Sequence, residues 1–107
     1  KARALALAPG YKAPVPPVFA LPGATAQTGL KLAIDGFAAI GKATKHDVVV
    51  SQAVAEVLSG GDTDMLVPLA EQDLYDLERR GFMRLAHNPD SQARIVHMLE
   101  TGKPLRN

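Results

Sequence analysis

The sequence predicts an all-α fold, a small bundle of about four to five helices. Apolar residues recur every three or four positions through most of the chain after residue 23. Helix-capping residues separate these stretches, most clearly at Asn88-Pro89, where a preferred N-cap precedes the residue favoured at the first helical position. No segment shows the two-residue alternation of a half-buried strand. We divide the chain into residues 1–22, the end of a preceding helix plus a proline-rich strap, and residues 23–107, a C-terminal helical subdomain.

Length, charge and cysteine content exclude several classes of protein. The chain has 107 residues, enough for one domain. Its formal net charge is +1, from 12 basic and 11 acidic residues, without the basic excess typical of a nucleic-acid-binding domain. It has no cysteine, so it has neither a disulfide framework nor a thiolate metal site. Its apolar runs are shorter than the ~20 residues that span a bilayer. We expect a cytoplasmic protein with no nucleic-acid partner and no membrane span.

The first 22 residues are predicted to contain little regular structure. Lys1–Ala8 should form one or two turns at the tail of a helix that begins upstream, and Pro9-Gly10 ends them. Tyr11–Pro22 contains four prolines, which exclude a regular helix and favour extended backbone. Because this segment is also apolar, we expect an ordered strap lying on a surface.

The next two helices are predicted over Ala24–Lys42 and Lys45–Ser59. In the first, Leu30, Ile34 and Phe37 repeat at helical spacing. Its glycines either permit close approach of a neighbouring element or are tolerated at some cost in helix stability; they are Gly29, Gly36 and Gly41. In the second, three consecutive valines favour a strand, but the alanine-rich continuation favours a helix. Thr44 is the predicted N-cap, and Gly60-Gly61 ends the helix before a loop over Asp62–Leu69.

The last two helices are predicted over Glu71–His87 and from Pro89 to Thr101. Leu74, Leu77 and Leu85 give the first an apolar face. Its acidic residues lie in the first half and its arginines in the second, a distribution that complements the helix dipole. The second helix should end at Gly102, with Pro104 just beyond.

The residues alone predict no catalytic or metal site. The histidines His46, His87 and His97 lack metal-ligand spacing, so solvated or helix-capping roles are expected. The carboxylates between Glu71 and Glu78 are explained by the dipole, and no serine stands in a nucleophile elbow. Gly60-Gly61 matches no phosphate-binding loop, and Val48–Leu58 has no Arg or Lys with which a recognition helix could contact DNA.

The basic tail has two interpretations. Lys103 and Arg106 either compensate the dipole of the last helix on a frayed end, or belong to a docked tail that presents a cation to a phosphate.

Leu77–Asn107 resembles the C-terminal end of the crotonase (enoyl-CoA hydratase) superfamily. The matching features are Leu77–Phe82, the break at Asn88–Asp90, and the Gly102–Pro104 tail. The helix end Val57–Asp62, the Lys45–Asp47 turn and the ending HMLETGKPLRN are similar to the final portion of bacterial 3-hydroxyacyl-CoA dehydrogenase/enoyl-CoA hydratase fusion proteins of fatty-acid β-oxidation. The sequence departs from the family pattern at Gln92–Arg94 and at Leu105-Arg106.

The resemblance implies that the chain is part of a larger enzyme. In the family, the catalytic carboxylates, the oxyanion hole and the nucleotide-binding glycines lie upstream, while the C-terminal helical subdomain covers the acyl-CoA site and makes subunit contacts. Phe82 and Lys103 stand where family members place residues near the CoA adenine and its phosphate. The resemblance thus implies NAD and a CoA thioester for the longer protein, no cofactor in this part alone, and upstream domains and homo-oligomer contacts as partners. The alternative is a stand-alone helical protein-interaction module without enzymatic activity.

Overall fold

The computed structural model describes residues 3–4 and 7–107, and this part of the chain is mostly helical. Its helices are α1 (Ala24–Ala39), α2 (Lys45–Ser59), α3 (Glu71–Ala86) and α4 (Pro89–Thr101). A minor antiparallel pair joins β1 (Val18–Phe19) to β2 (Leu69–Ala70). The all-α prediction is confirmed, with this short pair as an addition. Half of the turns predicted over Lys1–Ala8 lies outside the described residues, and the division at residue 23 stays a prediction.

Helix α2 has the predicted boundaries because both of its ends are encoded locally. The Asp47 N–H donates to Thr44 Oγ1 at 3.2 Å, and the Thr44 N–H donates to Asp47 Oδ2 at 2.8 Å. This reciprocal capping box satisfies backbone donors that the first turn would leave unpaired. At the other end Gly60 adopts a left-handed conformation, with φ of 88°, which stops the helix.

Helix α4 also begins and ends where the sequence predicts. The Asn88 side-chain oxygen accepts a hydrogen bond of 2.8 Å from the Asp90 N–H. Pro89 occupies the first turn, where its missing N–H costs nothing. Gly102, with φ of 69°, ends the helix, and its N–H donates to the Met98 carbonyl.

Helix α1 ends at Ala39, before the predicted end at Lys42. Gly41 has φ of 75°, and the N–H groups of Lys42 and Ala43 both donate to the Phe37 carbonyl, which closes the helix. A Cβ added at Gly29 or Gly36 would have no non-local heavy atom within 4 Å. Gly29 and Gly36 therefore do not permit close approach of a neighbouring element, and α1 tolerates them at some cost in helix stability.

The small sheet ties the proline-rich strap to the start of α3. Val18 pairs with Ala70, and Phe19 pairs with Leu69. Leu69 is buried at this junction, with 9% of its surface exposed. Strands of two residues are too short to show an alternating pattern, which is why the sequence did not predict them.

Helix α2 lies between α1 and α3 and connects them. On the α3 side, Gly81 faces α2, and a Cβ there would make an ordinary van der Waals contact with Val57 Cγ2 at 3.8 Å. On the α1 side, the Gly23 N–H donates to the Ser59 carbonyl at 2.8 Å. The interior is small: the buried apolar side chains of the described residues are Ala55 and Leu69. None of the described helices has the length and apolar character needed to cross a membrane.

Candidate functional site

Polar side chains from three parts of the chain converge at the N-terminus of α2. The Arg94 guanidinium, from α4, donates to Asp47 Oδ1 at 2.8 Å and to Thr44 Oγ1 at 3.3 Å. Its Nε donates to the Asn107 side-chain oxygen at 2.7 Å. We name Thr44, Asp47, Arg94 and Asn107 the Arg94 cluster. It joins α2, α4 and the tail through one cation.

The tail is anchored to the helices at Asn107. The Asn107 carbonyl oxygen accepts from the His46 N–H at 3.1 Å, so it satisfies a donor at the N-terminus of α2. The Asn107 side-chain amide donates to the Asp90 carbonyl at 3.0 Å. Because residues 102–107 are held at both ends, the frayed-end interpretation of the tail is wrong. Lys103 therefore lies in a segment whose two ends are hydrogen-bonded to the rest of the chain.

The hydrogen bonds around Asp47 stabilise its ionised form. The Thr44 backbone N–H has the largest effect, followed by the Arg94 guanidinium and the Thr44 hydroxyl. Together they hold the pKa of the Asp47 carboxyl well below its ordinary value. The Asp47–Arg94 ion pair therefore persists through the neutral and mildly acidic range.

His46 contradicts the expectation that the histidines are solvated or capping. Only 2% of its surface is exposed, because the first turn of α4 and the tail lie over it. Its Nε2 is 2.9 Å from Ser91 Oγ, whereas its buried Nδ1 has no hydrogen-bond partner among the described residues. His87 is exposed, and its Nδ1 lies 2.6 Å from the Met83 carbonyl oxygen.

The two residues predicted to contact CoA lie on different elements. Phe82 projects from α3 with 67% of its surface exposed. Lys103 follows α4 and is exposed, while its backbone N–H donates to Thr101 Oγ1 at 3.1 Å. Neither residue is among the side chains that line a cavity along α3. Their role near CoA stays a prediction.

A cleft of about 940 Å³ lies along α3 beside Glu56 of α2. We name it the α3 cleft. Its lining combines two apolar side chains with six that carry or can carry charge: Leu77, Met83, Glu56, Asp76, Arg79, Arg80, Arg84 and His87. The sequence does not predict this cleft, because the helix dipole already accounts for the arginines of α3. Their spacing along α3, followed by His87, is the signal that places them on neighbouring turns.

Within the α3 cleft the acidic side chains already have partners. Arg84 Nη2 and Glu56 Oε2 form an ion pair at 2.6 Å. Asp76 Oδ1 accepts from the Gln72 amide at 2.9 Å. The ion pairs of the described residues are Arg84–Glu56 and Arg94–Asp47, so neither Arg79 nor Arg80 has a carboxylate partner in that part of the chain. With three arginines and two carboxylates in its lining, the cleft has one net positive charge.

The described residues do not form a metal site or a nucleotide-binding turn. Among them, no group of three or more His, Asp and Glu side chains could hold a metal ion. The adjacent glycines Gly60 and Gly61 end a helix, whereas the glycine-rich turn that binds NAD opens one.

Comparison with known proteins gives one partial match. Over 98 residues, or 92% of its length, the chain is 35% identical to a probable 3-hydroxyacyl-CoA dehydrogenase of Bacillus subtilis. The aligned region spans 12% of that protein. No protein-family model matches the chain, and no solved structure matches it. The chain is thus similar to a small part of a dehydrogenase.

Proposed function

We propose that this chain is the C-terminal helical part of an NAD-dependent 3-hydroxyacyl-CoA dehydrogenase that also carries a crotonase-like region. There it covers the acyl-CoA site and makes contacts with other domains or subunits. The longer protein would hydrate a 2-enoyl-CoA and oxidise the resulting 3-hydroxyacyl-CoA with NAD, in the fatty-acid β-oxidation reactions of the cytoplasm. The catalytic groups would lie outside this chain.

The observation that carries the proposal is the similarity to the Bacillus subtilis protein over 92% of this chain. The crotonase-like part rests on the resemblance of Leu77–Asn107. A cytoplasmic location is supported by the absence of cysteine.

Exposed apolar side chains support the contact role. Phe37 on α1 is 54% exposed, Leu58 on α2 is 64% exposed, and Leu99 on α4 is 81% exposed. Exposed apolar surface on this scale is typical of a protein–protein contact. Its spread over several helices fits a segment packed against the remainder of a larger polypeptide.

The CoA contacts rest on Phe82 and Lys103. An exposed aromatic ring offers a stacking surface to an adenine, and an ammonium group binds a phosphate as a point charge. The anchored tail holds the Lys103 backbone in one place, which lowers the entropy cost of such a contact.

The Lys103→Ala variant of the longer protein tests this proposal. Removing the ammonium group should raise KM for CoA substrates more than KM for pantetheine analogues that lack the 3′-phosphate. Lys12→Ala, in the exposed strap, is the control and should change neither. Equal effects of Lys103→Ala on both substrates would remove Lys103 from the phosphate role. The chain alone should show no turnover, and NADH formation by it from a 3-hydroxyacyl-CoA would contradict the proposal.

The second candidate is a stand-alone helical protein-interaction module, which the exposed apolar residues also favour. The coding sequence upstream of Lys1 separates the two. A glycine-rich strand–turn–helix and a crotonase core would support the enzyme. A start codon directly before Lys1 would support the module.

A further inference from the structure

We propose that the α3 cleft binds a small organic phosphate, meaning a phosphate or pyrophosphate ester with an apolar or aromatic body. This site goes beyond the proposed function, because it uses neither Phe82 nor Lys103. The basic side chains that line it are Arg79, Arg80, Arg84 and His87.

The charge balance of the cleft favours an anion. Glu56 is neutralised by Arg84 at 2.6 Å, and Asp76 accepts a hydrogen bond from Gln72. Arg79 and Arg80 have no carboxylate partner among the described residues. Each guanidinium carries five N–H donors in a planar fork, the geometry that matches two oxygens of one phosphate. Three arginines and two carboxylates, Glu56 and Asp76, give the lining one net positive charge, which favours an anionic ligand.

Hydrogen bonds within the chain already orient the side chains of His87 and Arg80. The Met83 carbonyl oxygen can only accept, so the His87 Nδ1 at 2.6 Å must carry the proton of that bond. This leaves His87 Nε2 to accept a hydrogen bond from a hydroxyl group of the ligand. Arg80 Nε donates to the Asp76 carbonyl at 3.4 Å, which leaves both terminal nitrogens of its guanidinium for a ligand.

The size and the apolar lining of the cleft favour a small molecule. Its volume of about 940 Å³ lies within the range of ligand pockets, about 300–1,000 Å³. Leu77 and Met83 contribute apolar surface beside the basic groups, and the flexible Met83 thioether can contact an aromatic ring. An inorganic anion would leave this surface unused, so we expect an ester with a body to bind better than its phosphate alone.

The test is isothermal titration of the chain alone with inorganic pyrophosphate, ADP, coenzyme A and pantetheine. We expect ADP to bind more tightly than pyrophosphate, and pantetheine, which has no phosphate, not to bind. Binding of coenzyme A as well as ADP would support a general organic-phosphate site, whereas binding of coenzyme A without binding of ADP would overturn the proposal. Arg79→Gln/Arg80→Gln should weaken binding by about tenfold or more, because charge-assisted contacts to the phosphate are lost. Lys42→Gln, which removes an exposed cation outside the cleft, should leave it unchanged.

Circular dichroism tests whether any loss of binding in the double variant comes from misfolding. Circular dichroism should show equal helix content in the double variant and the wild type, because both arginines are exposed. In proton NMR, ADP should shift the ring resonances of His87 and leave those of His97 unchanged. Binding that survives the double substitution, equal binding of pantetheine, tighter binding of a polyglutamate peptide, or equal shifts at both histidines would overturn the proposal. The titration measures binding and not turnover, so its failure is separate from failure of the acyl-CoA proposal.

Discussion

At the residue scale, Arg94 determines how the end of the chain is held. One guanidinium contacts Thr44 and Asp47 at the start of α2 and Asn107 in the tail. Lysine could not replace it, because an ammonium group lacks the planar fork that contacts several acceptors at once. The contacts arranged around Arg94 also satisfy the first backbone donors of α2, through the Asn107 carbonyl and the Asp47 carboxylate. The cluster therefore stabilises the helix start and the tail together.

The lowered pKa of Asp47 predicts a defined pH dependence of stability. The Thr44 N–H and Arg94 favour the folded-state carboxylate, so folding depresses its pKa below the unfolded value of about 3.9. The contribution is present above about pH 4 and is lost as pH falls below it. Asp47→Asn should therefore lower Tm at neutral pH, and the difference from wild type should shrink below about pH 4. Thermal unfolding followed by circular dichroism from about pH 7 to about pH 2.5 measures this.

Asp35→Asn is the control for that experiment. Asp35 is exposed on α1 and belongs to neither of the ion pairs of the described residues. Its Tm difference from wild type should stay near zero at every pH. A deficit of Asp47→Asn that stayed constant into the acid range would contradict the assignment of the ion pair.

The local part of the Arg94 cluster could be predicted from the sequence, and the rest could not. Thr44 and Asp47 are three residues apart, so the cap follows from residue types and spacing. Arg94 lies 47 residues from Asp47, and no local pattern indicates that pairing. The same reason explains His46: its burial depends on Ser91, 45 residues away. In both cases the fold, and not the local sequence, brings the partners together.

At the scale of secondary-structure elements, capped helix ends were predictable and contacts between elements were not. The ends of α2 and α4 follow from Thr44, Gly60, Asn88 and Gly102, which act within one turn. The pairing of Val18–Phe19 with Leu69–Ala70 joins residues about fifty positions apart and has no such signal. The contact of Gly23 with the loop at Thr63 is likewise a contact between distant parts of the sequence, so no local pattern predicts it.

Alanine substitutions at Gly23 and Gly29 should have opposite effects. Gly23 has φ of 64°, and an added Cβ would lie 1.6 Å from the Thr63 carbonyl oxygen. Backbone strain of about 1–2 kcal/mol and displacement of the loop should make Gly23→Ala destabilising by at least about 2 kcal/mol. Gly29 lies inside α1 with open space around it, so Gly29→Ala should stabilise by about 0.5–1 kcal/mol. Urea unfolding of both variants measures the two free energies; a stabilising Gly23→Ala would contradict the contact with Thr63.

At the scale of the whole molecule, the chain is more open than its composition predicts. A hydrophobic content of 47% is ordinary for a globular domain. Yet the radius of gyration is 18.4 Å, whereas a compact domain of this length has about 13 Å. The buried apolar residues of the described part, Ala55 and Leu69, are few beside the exposed ones. Helical periodicity indicates which face of a helix is apolar, but it does not indicate whether that face is covered by this chain or by another partner.

Two leucines separate burial within the chain from burial by a partner. Leu69 is 9% exposed, so Leu69→Ala should destabilise the isolated chain by about 2 kcal/mol or more. Leu99 is 81% exposed, so Leu99→Ala should change its stability by less than about 0.5 kcal/mol. If the longer polypeptide covers α4, the same Leu99→Ala substitution should destabilise that protein by an amount comparable to a core truncation. Urea unfolding of both variants in both contexts measures the four values. A large effect of Leu99→Ala in the isolated chain would contradict the open arrangement of α4, whereas a negligible effect in the longer protein would mean that this face is not the one that docks.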